Sequence, residues 1–165
     1  MDSEIAVSGG SKLQRELVAE AASFYLKKLL PHNYYEVMLV IKLRKDYYER
    51  CGCRADVMWE DDEDEPREFE INIDASMQIH GLLRALAHEC AHVKQYVLGE
   101  LRDTSSLHVI VWKKKKYDTR KIDYYDLPWE FDAYGREVGL HANFSQQKKF
   151  KNASWNKYDP DYIRK

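Results

Sequence analysis

Residues 77–98 are apolar around most of a helix circumference, yet His88, Glu89 and His92 stand in their midst. Leu82, Leu83, Leu86, Ala87, Val93 and Val97 recur near the helical period and leave little room for a solvated face. Ser76 is placed to cap this helix and Gly99 to stop it. Such a helix has to be central. Its three ionisable side chains then need partners, because a desolvated charge or an unpaired imidazole is costly. The rest of the chain must cover this helix and also supply groups that satisfy it.

The flanking segments suggest how. Residues 1–10 read as a loose start, and Ser11 with Gln14 has the capping-box spacing that opens a helix carrying Leu13, Leu17, Ala21, Phe24 and Leu29. Pro31 ends it. Tyr35 to Leu43 is a β-rich run, expected to pair with residues 53–59. Residues 60–65 are all acidic and precede Pro66, which suits a solvated hairpin tip. Phe69, Ile71 and Ile73 alternate as one face of the next strand. Leu107 to Trp112 reads as a short strand followed by a solvated loop at Lys113–Lys116. Pro128 is placed in the first turn of a helix over about 128–141. The expected class is α+β: a small sheet of three to four strands on the central helix, with a second helix beside it. Residues 1–147 are expected to form one domain, and residues 148–165 a polar, basic tail or strap.

Composition narrows the partners. Lys and Arg total 26 against 28 Asp and Glu, a net charge of −2, which argues against a nucleic-acid or membrane coat. Three cysteines do not make a disulfide scaffold and suggest a reducing compartment. No run approaches a membrane span, and the start lacks the order of a signal peptide. A cytoplasmic location without membrane contact is the expectation.

His88-Glu89-Cys90-Ala91-His92 carries the chemistry. Residues four apart share a helix face, so both imidazoles can reach one ion. Glu89 is placed to act as general base toward a water on that ion, and zinc suits imidazole ligands. Chance gives only about 0.02 such matches in a chain of this length and composition. A catalytic zinc usually takes a third protein ligand. The metzincin pattern is excluded, because Gln95 and Leu98 stand where its glycine and histidine belong. Glu130 is the leading donor, on one stripe with Tyr134 and Glu137; Glu137 and Asp132 are the alternatives. Asp132 has Arg136 four residues on. Tyr134 is the leading donor to an oxyanion, with Tyr117 and His108 as alternatives. Cys90 should point into the core, Cys51 and Cys53 read as structural thiols, and His32, His80 and His141 have no partner at a telling spacing.

HECAHVKQYVLGEL, VWKKKKY and YYDLPWEFDAYGRE resemble the small HExxH metallopeptidases common in phage and bacterial genomes, of the SprT-like or gluzincin-like kind. The resemblance covers about residues 76–141. It implies a compact zincin, a second helix supplying the third ligand, and a cleft lined by the Phe69–Ile73 strand. Two features depart from the pattern: Asp132 replaces the usual glutamate, and the cysteine zinc ribbon of the SprT proteins proper is missing. A zincin with glutamate as third ligand fits better. Asp132-Ala-Tyr-Gly135 also resembles the aspzincin motif, one residue short. The expected function is zinc-dependent hydrolysis of a protein or peptide, in the host cytoplasm if the gene is a phage's. The alternative is a non-catalytic, zinc-stabilised interaction module acting on a nucleic-acid-associated partner. A third reading lets the basic segment after 148, with Trp155, Tyr158 and Tyr162, touch nucleic acid.

Overall fold

A computed structural model describes residues 3–61 and 64–157. Over the described residues the chain is α+β, with a four-stranded sheet, a three-stranded sheet and four α-helices. The first described element is a strand, β1 (Glu4–Gly9), where a loose segment was expected. Helix α1 (Lys12–Leu29) follows, with the Ser11–Gln14 capping box formed in both directions. Strand β2 (Met38–Arg44) lies parallel to β1, a pairing that needs a crossover helix such as α1. After the short helix α2 (Tyr47–Cys51) come β3 (Ala55–Trp59) and β4 (Glu68–Asp74).

The sheet order is β1-β2-β4-β3. The expected pairing of β2 with residues 53–59 is therefore wrong: β2 is flanked by β1 and β4, both parallel, and β3 pairs antiparallel with β4 on the edge. With β1 on one side of β2, β4 takes the other. β3 and β4 still make a hairpin across the acidic run. Asp61 closes it by accepting N–H bonds from Arg67 and Glu68, while Asp62 and Glu63 lie outside the described residues.

Leu39, Ile41, Leu43, Phe69, Ile71 and Ile73 bury one sheet face against α1 and the long helix α3 (Ile79–Val97). Each such side chain stabilises the fold by about 1.5–3 kcal/mol. Helix α3 starts later than expected and Ser76 does not cap it. Gln78 occupies the cap position, and the Ser76 hydroxyl bonds Asp46 instead. Its other end is as expected. Gly99, at φ 65°, lets its own N–H reach the Tyr96 carbonyl and that of Glu100 reach Gln95, which satisfies two terminal acceptors.

The three-stranded sheet comprises β5 (Leu101–Asp103), β6 (Val109–Trp112) and β7 (Lys115–Asp118). Leu107 is 94% exposed and outside the strand. Only Lys113 and Lys114 form the turn of the lysine run, both at positive φ, whereas Lys115 and Lys116 belong to β7. Helix α4 (Pro128–Ser145) starts at the expected proline and runs one turn further than expected. Ala133, fully buried, lets α4 approach α3 closely. The described part of the last segment packs on the end of α4. The Phe150 ring packs at a tilt against Phe144 with ring centroids 4.7 Å apart, and the buried Asn156 amide donates to the carbonyls of Ser145 and Phe150. Residues 158–165, with Tyr158 and Tyr162, lie outside the described residues.

One turn tests this topology. Gly9 sits at φ 77°, and a Cβ there would stand 2.1 Å from the Leu43 carbonyl oxygen. Gly9→Ala is expected to destabilise the fold by about 2 kcal/mol or more, read as a lower urea midpoint at unchanged slope.

Candidate metal centre

Helix α3 presents His88 and His92 from one face, and α4 presents Glu130 from its first turn. All three are buried, at 7% exposure each. His88 Nε2 lies 3.1 Å from His92 Nε2 and 3.1 Å from Glu130 Oε2, and His92 Nε2 lies 3.4 Å from Glu130 Oε1. A tetrahedral ion with bonds near 2.0 Å has ligand edges of about 3.3 Å. The separations are of that size, taken to the two oxygens of Glu130 in turn, and one donor atom from each residue lies within 4.8 Å of the others, so the three could hold a metal ion.

The surrounding groups orient the donors. The His88 Nδ1 faces Glu137 Oε2 at 3.0 Å; a carboxylate only accepts, so Nδ1 carries a proton and Nε2, which faces Glu130, is the nitrogen that would exchange its own proton for an ion. Gln95 does the same for His92. Its amide NH₂ donates to the Trp129 carbonyl at 2.9 Å and to Asp132 at 3.0 Å, which fixes the carbonyl end against His92 Nδ1 at 2.8 Å. The Tyr124 hydroxyl donates to Glu130 Oε2 at 2.9 Å.

The charges follow this geometry. Burial disfavours a charged His88, but Glu130 and Glu137 outweigh it and raise the imidazole to about 10. Burial likewise opposes an ionised Glu130, yet hydrogen bonds from His88, His92 and Tyr124 lower it to about 2. A cation is therefore favoured inside the triangle, and protons compete for that place. Glu89 is 6% exposed and outside the triangle. Burial pushes its carboxyl up to about 7.

The ligand candidates from sequence thus meet at one point. The rivals of Glu130 have other tasks: Glu137 orients His88, and Asp132 bonds Gln95 as well as Arg136. Tyr134 packs edge-on against His88, ring centroids 4.5 Å apart. Tyr117 packs on Trp129 and His108 is solvent-exposed; neither lines the cleft. The cleft, about 750 Å³, runs past His88 and Glu89 between the start of β3 and a wall of Tyr124, Tyr125 and Tyr134. The expected lining by Phe69–Ile73 is incorrect, because β4 is an interior strand; the edge strand β3 supplies Ala55 and Val57.

Sequence reasoning missed Tyr124 and the bridging role of Gln95. Cys90 is fully buried, as expected. Cys51, Cys53 and Cys90 are free thiols. His80 and His141 meet across α3 and α4, Nδ1 to Nε2 at 2.8 Å. No described helix is long and apolar enough to cross a membrane. A scan against protein-family models, a search of the curated proteins and a search of the solved structures each return no match.

Proposed function

We propose that the chain is a zinc-dependent peptidase, a zincin in which His88, His92 and Glu130 hold the ion. One observation carries this reading: a buried carboxyl, Glu89, lines the same cleft as the His88 ligand but belongs to no ligand triangle. A purely structural site needs no base and closes its fourth position. Two imidazoles and one carboxylate suit zinc, and histidine Nδ1–H groups held by Glu137 and Gln95 are the support such ligands require.

Held by His88, His92 and Glu130, zinc would supply Lewis acidity and lower the pKa of a water at this place. Glu89 takes the proton of the attacking water and delivers it to the amine leaving from the scissile peptide. Burial raises its carboxyl in the metal-free site, and a cation bound beside it would draw the group back toward the ionised form that a base needs. The Tyr134 ring packs against His88 in the cleft, from where its hydroxyl would donate a hydrogen bond to the developing oxyanion.

Elemental analysis of the purified chain is expected to give about one zinc per molecule. Cleavage of casein should cease on dialysis against phenanthroline and return with added zinc. Full cleavage by metal-free protein would exclude the proposal.

A further inference from the structure

Uncovered apolar surface collects in the cleft beside the ligand triangle, and the hydrolysis just described does not use it. Tyr125 is 70% exposed, although its ring touches those of Tyr124 and Tyr134 at centroid distances of 5.3 and 5.8 Å. Val138, one turn after Tyr134 on α4, is 53% exposed. These side chains line the same cleft as His88 and Glu89. Apolar groups gathered in a concave place are the usual lining of a ligand site.

The floor leaves room for a guest. Gly81, Ala85 and His88 stand at i, i+4 and i+7 on α3, one stripe whose first two members carry little or no side chain. The charged groups of the lining are engaged: Glu137 holds His88, Glu89 is buried against the metal centre, Arg84 has a partner of its own, and the Arg54 guanidinium lies over the Tyr48 ring, 5.8 Å from its centroid. A newcomer therefore meets ring and aliphatic carbon, and a further ring can add to the tilted series His88, Tyr134, Tyr125. That series starts at a metal ligand, with centroids 4.5 and then 5.8 Å apart. An extended peptide advances by roughly 3.3–3.6 Å per residue, so a side chain one or two residues from a bond held at His88 reaches it.

We infer that the Tyr125, Tyr134 and Val138 wall and the Gly81–Ala85 floor form a pocket for an aromatic side chain, so that the substrate is a peptide with Phe, Tyr or Trp one or two residues from the scissile bond. The inference rests on the peptidase reading of the same cleft.

The test uses blocked, neutral octapeptides in which one phenylalanine is moved through each position, with alanine and aspartate in its place as controls. Binding is read by fluorescence anisotropy on the zinc-loaded Glu89→Gln protein. Cleavage is read on the wild type, with the cut bond located by mass spectrometry. The best phenylalanine peptide is expected to bind about tenfold tighter than its alanine control, the effect of burying one such side chain, and the advantage should persist at high salt. Tyr125→Ala and Val138→Ser, both at exposed positions, should each reduce the advantage and leave binding of the alanine peptide unchanged; the double variant should abolish it. Equal binding of the phenylalanine and alanine peptides overturns the inference. So does a preference for aspartate, and so does a phenylalanine preference that survives in the double variant. Preference without wild-type cleavage sinks only the peptidase reading and leaves the aromatic pocket, and cleavage without preference sinks only the pocket.

Discussion

Glu89→Gln is expected to keep its zinc and to lose peptide hydrolysis by about 10²–10⁴-fold, the range for removal of a positioned general base. The substitution preserves shape and a hydrogen-bonding end, so the buried pocket around residue 89 should stay filled. It removes only the ability to take a proton. The ligand atoms of His88, His92 and Glu130 are untouched, and so are the bonds from Glu137 and Gln95 that orient them. Metal content and activity should therefore separate in this variant. The lost activity corresponds to about 3–5.5 kcal/mol of barrier. Initial rates on a quenched fluorescent peptide, with zinc measured in the same samples, check both halves. A fully active, zinc-loaded Glu89→Gln would mean that another group takes the proton, whereas a zinc-loaded wild type that cleaves nothing would mean that the ion serves the fold, as in an interaction module.

What the sequence discloses here follows how local each signal is. His88, Glu89 and His92 lie within one helical turn, on the segment with the strongest apolar periodicity, so their meeting needed only the helix repeat. Pro128 and the Glu130–Tyr134–Glu137 stripe made the second helix legible for the same reason. The stripe does not say which carboxylate meets Nε2 and which meets Nδ1 of His88. That depends on how α4 sits against α3, and both carboxylates touch the ring. Gln95 binds residues 34 and 37 positions away, and His80 meets a histidine 61 positions away, distances over which no periodicity carries information. Strand β1 was missed because Glu4–Gly9 is short, mostly exposed and polar-flanked. It is a strand because β2 offers it a parallel edge after a crossover. The place of β3 at the edge, which opens the cleft, is likewise a property of the whole sheet order.

Glu130→Gln is expected to weaken zinc binding on the order of 100-fold or more, and Glu137→Gln by about tenfold. Structural zinc sites bind with roughly 10–16 kcal/mol over four ligands, so about 3 kcal/mol belongs to each, which is near 100-fold in affinity. Glu130 stands in the ligand triangle, and an amide there is a poor substitute for an anionic oxygen. Glu137 touches only the far nitrogen of His88, where glutamine can still accept the Nδ1 hydrogen. Its loss is that of an orienting group, at the lower end of the 10–100-fold that such groups are worth. Chelator competition gives the two affinities directly. Melting gives them independently, because an ion at 100 times its dissociation constant stabilises the folded state by about 2.7 kcal/mol. Added zinc should thus raise the melting temperature of wild type and of Glu137→Gln, and raise that of Glu130→Gln far less at equal concentration. A larger loss at position 137 than at 130 would make Glu137 the ligand and Glu130 its support, because each carboxylate contacts a different nitrogen of the same imidazole and only one of those nitrogens faces His92.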